Sequence, residues 1–211
     1  MSLSNCEVGC VVITGSTKGI GLALAHAFLD LGCSVVIAGR NVEHLNHALS
    51  HLETHFNKEK FIGLCCNVTQ IADVQTLWDR AIQHFGQVNV WINNAGSCHP
   101  TKEFIDLQPD ELKTTISTNI LGTMLGSQVA LKGMLKQGYG QIFNMEGWGS
   151  NGEWSAGMTA YATTKRAVSY FSKALYKETK STPILTGTLS PGMVATDLLV
   201  SSWTHGNIQN W

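Results

Sequence analysis

The stretch Thr14-Gly-Ser-Thr-Lys-Gly-Ile-Gly21 lies between a short apolar run, Cys10–Thr14, and a segment of helical periodicity, Ile20–Leu31. Closely spaced glycines let the backbone turn tightly and approach a ligand, and the first N–H groups of the following helix point at an anion. The segment predicts a dinucleotide-binding unit, with a glycine-rich turn that binds no ligand as the alternative. The candidate contacts are Gly15, Ser16, Thr17, Lys18, Gly19, Ile20 and Gly21.

Short apolar runs alternate with longer amphipathic segments along the chain. Strands that alternate with helices pair as right-handed βαβ crossovers and build a parallel sheet. The sequence therefore predicts an α/β fold, a Rossmann-type doubly wound parallel sheet with helices on both faces, in a single domain over residues 1–211. The predicted strands are Cys10–Thr14, Ser34–Ala38, Phe61–Cys66, Val88–Ile92, Gln141–Met145 and Ile184–Leu189, and the predicted helices are Ile20–Leu31, Val42–Phe56, Val74–Phe85, Pro109–Lys136 and Thr159–Thr179.

Composition and charge exclude several classes of function. Fourteen Lys and Arg residues against fifteen Asp and Glu residues give a formal net charge of −1, which offers no overall attraction to nucleic acid or anionic lipid. No window approaches the roughly 20 apolar residues of a membrane span, and the N-terminus has no signal-peptide pattern. The six cysteines form no Cys-x-x-Cys pair, which indicates a reducing compartment. We expect a cytoplasmic protein, or one of the plastid stroma if a transit segment is missing from this chain.

One predicted helix carries a run of histidines at three- and four-residue steps, which places the imidazoles on one side of the helix. His47 and His51 could chelate a transition metal, but no acidic or thiolate group completes a closed site. The sequence therefore predicts no metal site, and we expect a solvated flank. The histidines are His44, His47, His51 and His55.

The second predicted strand ends in Ala38-Gly39-Arg40. NAD-binding folds carry an acidic residue at this place, which bonds the adenosine ribose hydroxyls. The Arg40 guanidinium offers a planar fork for a 2′-phosphate, and Lys18 in the glycine turn can add a second positive charge. These residues predict NADP(H) as the cofactor, with two ordinary surface cations as the alternative.

Tyr161 and Lys165 are four residues apart at the start of a predicted helix, so both side chains lie on one face. A free phenol has a pKa of about 10, and a nearby ammonium group favours the phenolate. We expect Lys165 to lower the pKa of Tyr161 toward the range that suits proton transfer with a substrate oxygen. Taken alone, the spacing is also compatible with coincidence on a helix surface.

Five short motifs occur in a fixed order: Thr14-Gly-Ser-Thr-Lys-Gly-Ile-Gly21, Asn93-Asn-Ala-Gly96, Ser117-Thr-Asn-Ile120, Tyr161-Ala-Thr-Thr-Lys165, and Pro191-Gly192 followed by Thr196. In this combination the chain resembles the short-chain dehydrogenase/reductase family, a Rossmann-fold group of nicotinamide oxidoreductases. The resemblance implies that Tyr161 exchanges a proton with the substrate, that Lys165 also holds the nicotinamide ribose, and that Asn119 positions a relay water. It implies further cofactor contacts at Asn67, Val68, Asn94, Ala95, Gly96, Pro191, Gly192 and Thr196.

The chain departs from the family pattern in two places. The family carries a serine after the fifth strand that hydrogen-bonds the substrate oxygen, whereas this sequence reads Asn144-Met-Glu-Gly147 there. Ser150, eleven residues before Tyr161, is the nearest hydroxyl, and its glycine-rich loop would let it reach the site. We therefore predict Ser150 as a further catalytic residue. After Thr196 the family's final helix and seventh strand have no counterpart, so the domain is expected to be short at its C-terminal end.

Two further segments, Phe143–Gly147 and Ser190–Leu199, are similar to the chlorophyll(ide) b reductase branch of the family, which reduces a formyl group on a tetrapyrrole with NADPH. The resemblance implies an NADPH-dependent oxidoreductase that interconverts a carbonyl and an alcohol, with this formyl group as a candidate substrate and a homo-oligomer as a candidate assembly. Four side chains would offer apolar surface to a large flat substrate, or would pack a closing loop instead. They are Met145, Trp148, Trp154 and Met158.

Two other functions stay open. One is an NADP-dependent carbonyl reductase or alcohol dehydrogenase with a different substrate. The other is a dinucleotide-binding sensor without catalysis, which the missing serine and the missing C-terminal strand favour and the Tyr161–Lys165 pair disfavours.

Overall fold

One parallel sheet forms the centre of the protein in the computed structural model, which describes residues 9–192 and residue 194. Its strands are β1 (Cys10–Ile13), β2 (Ser34–Gly39), β3 (Phe61–Cys65), β4 (Val90–Asn93), β5 (Gly140–Met145) and β6 (Ile184–Leu189). Their order across the sheet is β3-β2-β1-β4-β5-β6, and every neighbouring pair is parallel. The chain thus winds outward from β1, returns to the centre at β4 and continues in the other direction.

Helices cover both faces of this sheet. They are α1 (Gly19–Asp30), α2 (Val42–Glu53), α3 (Ile71–Phe85), α4 (Pro109–Ile116), α5 (Gly122–Gln137) and α6 (Thr159–Thr179). One buried cluster joins α1 and α2 to the sheet through Leu29 and Leu45. A second cluster joins α3 and α5 to it through Trp78 and Met134. The predicted doubly wound Rossmann-type sheet is confirmed.

The predicted continuous helix Pro109–Lys136 is wrong at its centre. A π-helical turn over Ser117–Leu121 joins α4 to α5. Such turns insert one extra residue into a helix and are frequent at functional sites. Here the turn carries Asn119, which is bonded to Ser97 and Thr164. Because these partners are distant in sequence, helical periodicity could not reveal the interruption.

The order of the strands determines where a ligand can bind. β1 and β4 are neighbours in the sheet, and the chain leaves them toward opposite sides. The crevice beyond the carboxyl ends of such strands is the binding place of open α/β sheets. The glycine turn follows β1 there, and Asn94 follows β4.

Two expectations concern segments that lie outside the described residues. The shortened C-terminal end and the cofactor contact at Thr196 both fall after residue 194, and the boundaries of the domain stay a prediction. Within the part of the chain that the structure describes, no helix combines the length and apolar character needed to cross a bilayer.

Candidate active site

The glycine turn between β1 and α1 has a tight backbone. Gly15 and Gly19 have φ values of 62° and 56°, in the left-handed region that favours glycine. A Cβ atom at Gly15 would lie 2.6 Å from Cα of Ala95, and a Cβ atom at Gly21 would lie 2.5 Å from Nδ2 of Asn94. The turn is therefore packed against the loop after β4, and neither position accommodates a side chain.

Thr14 and Asn94 bind these two loops to each other. Thr14 Oγ1 accepts hydrogen bonds from the backbone N–H groups of Asn94 and Ala95, both at 3.1 Å. Asn94 Nδ2 donates to the carbonyl oxygens of Thr14 and Gly15 at 3.0 and 2.9 Å. Among the residues that the structure describes, no side chain caps the N–H groups at the start of α1 with a hydrogen bond. The start of this helix therefore suits the negative charge of a dinucleotide pyrophosphate.

In the glycine turn, the side chains of two predicted cofactor contacts interact with the protein itself. Ser16 is fully buried, and its hydroxyl donates to the carbonyl oxygen of Ile13 at 2.6 Å and accepts from the Ala38 N–H at 2.9 Å. The Thr17 side chain lies against Gly39, where a Cβ atom would be 2.5 Å from the Thr17 methyl group. The Ser16 side chain is thus committed to the protein, and a cofactor contact at this residue would involve its main chain.

The two cations expected to meet a 2′-phosphate, Lys18 and Arg40, are both exposed. Arg40 directly follows β2, and its carbonyl oxygen accepts a hydrogen bond from Cys65 Sγ at 3.5 Å. Because β2 lies next to β1, Arg40 and the glycine turn share one edge of the sheet. Ile20 packs instead against the buried cluster beneath α1.

The two residues expected beside the adenine differ in accessibility. Asn67 is half-buried, and its Oδ1 accepts from the backbone N–H and the hydroxyl of Thr69 at 3.2 and 2.9 Å. Val68 is buried, and a Cβ atom at Gly122 would lie 2.6 Å from its Cγ2 atom. The Val68 side chain therefore supports the start of α5, which leaves its main chain for a cofactor contact.

Tyr161 and Lys165 lie in the first two turns of α6, where Lys165 is buried and Tyr161 is half-buried. Lys165 Nζ is 5.8 Å from the centroid of the Tyr161 ring. It donates a hydrogen bond to the carbonyl oxygen of Met145, at the end of β5, at 3.1 Å. Lys165 is 5% exposed. The structure thus brings the predicted pair together and connects it to the central sheet.

The expected lowering of the Tyr161 pKa is wrong. Burial raises the pKa of this phenol well above its ordinary value, and Cys98 adds to the effect. Burial also lowers the pKa of Lys165 to about 8, against smaller opposing effects of Cys98 and Glu146. Both shifts favour the neutral form, because surroundings of low dielectric constant disfavour charge. At neutral pH, Tyr161 is therefore a phenol that can donate a proton.

Asn119 joins the loop after β4 to α6. It is almost fully buried, with Oδ1 accepting from the Ser97 N–H at 2.7 Å and Nδ2 donating to the Ser97 carbonyl and the Thr164 hydroxyl, both at 2.9 Å. A Cβ atom at Gly96 would lie 3.6 Å from Asn119 Oδ1 and 3.9 Å from Lys165 Nζ. Asn119, Gly96 and Lys165 thus converge at the carboxyl edge of the sheet.

Ser150 closes a tight turn next to Tyr161. The Ser150 side chain is buried; its hydroxyl accepts from the Gly147 N–H at 3.0 Å and donates to the Lys165 carbonyl at 3.4 Å. A Cβ atom at Gly147 would lie 2.7 Å from the Tyr161 hydroxyl, so Gly147 leaves the space that this hydroxyl occupies. Ser150 therefore positions Gly147 beside Tyr161, and direct donation from Ser150 to a substrate stays a prediction.

His99 is a positioning residue that the sequence analysis missed. Its Nδ1 atom lies 2.8 Å from the carbonyl oxygen of Pro100, which can only accept, so Nδ1 carries the proton. Nε2 then accepts from the backbone N–H of Tyr161 at 3.3 Å, one of the N–H groups that lack a partner within the first turn of a helix. His99 is buried, and only the tertiary fold brings it to Tyr161.

The remaining predicted residues lie around the same edge of the sheet or within the core. Pro191 and Gly192 follow β6 after Ser190 and are exposed. Met145 and Met158 are both buried, which favours the alternative that these two side chains serve packing. Trp154 is 87% exposed and stays available.

These features define the Rossmann fold of the nicotinamide oxidoreductase class, with a glycine turn after β1 and a tyrosine–lysine pair on α6. The chain belongs to the short-chain dehydrogenase family, since the family model described as "short chain dehydrogenase" matches residues 9–206. The match confirms the resemblance that the five motifs indicate. The glycine turn fits the pyrophosphate of a dinucleotide, because Gly15 and Gly19 adopt the left-handed conformations of a tight turn and the N-terminus of α1 follows it.

Known proteins similar to this chain include one curated relative and two solved structures. The relative is "Chlorophyll(ide) b reductase NOL, chloroplastic" of Oryza sativa subsp. japonica, 40% identical over 199 residues that cover 92% of this chain and 58% of the relative. The chain thus spans less than two thirds of that protein. A short chain dehydrogenase/reductase from Burkholderia phymatum in complex with NAD has a TM-score of 0.85 and 26% identity, over 92% of this chain and 68% of that one. "ElxO with NADP Bound" has a TM-score of 0.83 and 29% identity, over 91% of this chain and 76% of that one.

Proposed function

We propose that this chain is an NADPH-dependent carbonyl reductase whose substrate is the formyl group of chlorophyll(ide) b. The observation that carries the proposal is the half-buried, neutral Tyr161 near the buried Lys165 and Asn119 at the carboxyl edge of the sheet. The similarity to the rice protein supplies the substrate. That relative is named chloroplastic, which favours the plastid stroma over the cytoplasm for this chain.

The preference for NADPH rests on the end of β2. Arg40 stands there, exposed, where a carboxylate would otherwise bond the ribose hydroxyls of NAD. A guanidinium binds a 2′-phosphate with two parallel hydrogen bonds, and Lys18 in the glycine turn adds charge on the same edge of the sheet. The two solved structures described above hold NAD in one case and NADP in the other, so the family alone does not decide the preference.

The proton of the reaction comes from Tyr161. When bound, the reduced nicotinamide supplies a hydride to the carbonyl carbon. Negative charge then develops on the carbonyl oxygen, and the phenol donates its proton there to give the alcohol. Tyr161 is suited to the reductive direction because burial keeps it protonated at neutral pH. Lys165, with a pKa of about 8, is mostly cationic at pH 7 and stabilises the phenolate that remains.

A large flat substrate would lie against the loop between β5 and α6. Trp154 in this loop is 87% exposed, and an exposed indole provides a face on which a conjugated ring can stack. Trp148 in the same loop is half-buried. We therefore assign substrate contact to the tryptophan side chains of this loop.

The test is reduction of purified chlorophyllide b with NADPH or NADH, with the product identified by chromatography and mass. We expect formation of the corresponding alcohol, faster with NADPH, by the unmodified protein and not by Tyr161→Phe. A panel of smaller aldehydes and ketones tests the alternatives. Turnover of the panel without turnover of chlorophyllide b would contradict the proposed substrate, and tight NADPH binding without any turnover would identify a sensor.

A further inference from the structure

Three histidines from two segments of the chain meet on the outer surface of the layer that α1 and α2 form. His26 lies in α1, His51 lies in α2, and His55 follows α2. Each offers one ring nitrogen, and these three nitrogens lie within 4.8 Å of one another. The ring centroid of His55 is 5.4 Å from that of His26 and 5.1 Å from that of His51. We call His26, His51 and His55 the histidine cluster.

In two of the three histidines, His26 and His55, the Nδ1 atom makes a hydrogen bond that orients the ring. His26 Nδ1 lies 3.1 Å from a carboxylate oxygen of Asp30, which accepts, so Nδ1 donates and Nε2 keeps a free lone pair. His55 Nδ1 lies 2.7 Å from the Thr54 hydroxyl and 3.1 Å from the His51 carbonyl oxygen. Because the Thr54 hydroxyl itself donates to that carbonyl, His55 Nδ1 is again the donor. Histidines that bind metals are held in this way, by a carboxylate or a carbonyl on the other ring nitrogen.

We propose that the histidine cluster binds one Zn²⁺ ion, independently of the dinucleotide site. Imidazole nitrogens are preferred ligands of zinc. A tetrahedral ion with Zn–N distances of about 2.0 Å needs ligand nitrogens about 3.3 Å apart, so the cluster must contract slightly. His51 and His55 are exposed and His26 is half-buried, so small shifts of these side chains can bring the three nitrogens to this spacing. A water molecule would complete the coordination.

A metal ion bound at the histidine cluster would connect two helices. His26 and His51 line a shallow groove between the two helices, whose other end is formed by Gly19, the first residue of α1. A metal bound to both helices would therefore connect α2 to the helix that starts at the glycine turn. Binding to the folded protein alone stabilises it by mass action.

The test is titration of metal-free protein, purified without a polyhistidine tag, with ZnCl₂ in a calorimeter. We expect one ion per chain with a dissociation constant in the micromolar range or below, and an increase of several degrees in Tm at saturation. His26→Ala and His55→Ala should each weaken binding at least about 10- to 100-fold, the size of the loss when a supporting hydrogen bond of a ligand is removed, and Asp30→Asn should weaken it within that range.

Matched controls are provided by the same surface. His44→Ala and His47→Ala remove neighbouring histidines of α2 that lie outside the cluster and should leave the affinity unchanged. Cys65→Ser removes an exposed thiol and should also have no effect. No binding at micromolar Zn²⁺ would overturn the proposal, as would an affinity lost in His47→Ala but kept in His26→Ala, because the ligands would then be a pair within α2.

Discussion

Lys165→Met should make the ligand-free protein more stable while it removes activity. Lys165 is buried, and burial lowers its pKa from 10.5 to about 8. At about 1.4 kcal/mol for each tenfold change in proton affinity, keeping this ammonium inside the protein at pH 7 costs about 3 kcal/mol. Methionine has a similar length and no charge, but it leaves the Met145 carbonyl without its donor, which costs about 1 to 2 kcal/mol. We therefore expect a net gain of about 1 to 2 kcal/mol in the free energy of unfolding.

The pH dependence of this gain follows from the direction of the shift. The unfolded chain binds the Lys165 proton more tightly than the folded protein does, so the cost is fully present below pH 8 and disappears as the pH rises toward 10.5. The advantage of Lys165→Met over the unmodified protein should therefore shrink between pH 7 and pH 10. Comparing the two proteins at each pH cancels the titration of other groups.

Urea unfolding at pH 7 and pH 10 measures both quantities. Lys173→Met is the matched control, because Lys173 is exposed on the same helix and should change stability by less than about 0.5 kcal/mol. A Lys165→Met protein that is less stable than the unmodified one at pH 7, or a stability difference that does not change with pH, would refute the argument. Turnover should be lost in either case, because the phenolate that remains after proton donation would lack the Lys165 ammonium that stabilises it.

Four other substitutions test the site. Arg40→Asp should reverse the order of NADPH and NADH affinity, with NADPH weakened roughly 10- to 100-fold through loss of a charge-assisted pair; equal affinities in the unmodified protein would contradict this. Tyr161→Phe should lower kcat by about 10²- to 10⁴-fold and leave the cofactor dissociation constant unchanged; near-normal kcat excludes proton donation. Gly147→Ala should lower kcat by about 10²-fold, because its Cβ atom would lie 2.7 Å from the Tyr161 hydroxyl and displace it; an unchanged rate would mean that this contact does not position the phenol. Ser150→Ala should lower kcat by about 10²-fold with little effect on NADPH affinity; an unchanged kcat would remove Ser150 from the list of catalytic residues.

Local patterns in the sequence were sufficient for the architecture. The alternation of apolar runs with amphipathic segments predicted all six strands of the described sheet. A strand in a parallel sheet is buried on both faces, so its consecutive residues are nearly all apolar and the strand is visible in the sequence. The glycines of the first turn and the four-residue step from Tyr161 to Lys165 are likewise local features. Backbone geometry alone turns them into a tight turn and a shared helix face.

Tertiary contacts decided the features that sequence reasoning missed or misjudged. The π-helical turn carries Asn119, whose side chain is hydrogen-bonded to Ser97 and Thr164 in other parts of the chain. His99 reaches the Tyr161 N–H across 62 positions of the chain. Ser150 has its hydroxyl engaged by Gly147 and Lys165, which no spacing indicates.

The pKa values of Tyr161 and Lys165 show most clearly which properties the sequence determines and which the tertiary structure determines. The sequence by itself determined that a lysine stands one helical turn from Tyr161, and Coulomb attraction alone then favours the phenolate. The tertiary structure decided the sign of the shift, because it removes water from around both groups, and the loss of hydration is the largest cause of each pKa shift. The histidine cluster follows the same rule: His51 and His55 share a segment, but His26 joins them only because α1 packs beside α2. Residue types and their spacing are local properties, whereas burial and the meeting of distant side chains arise only when the whole sheet and its helices have assembled.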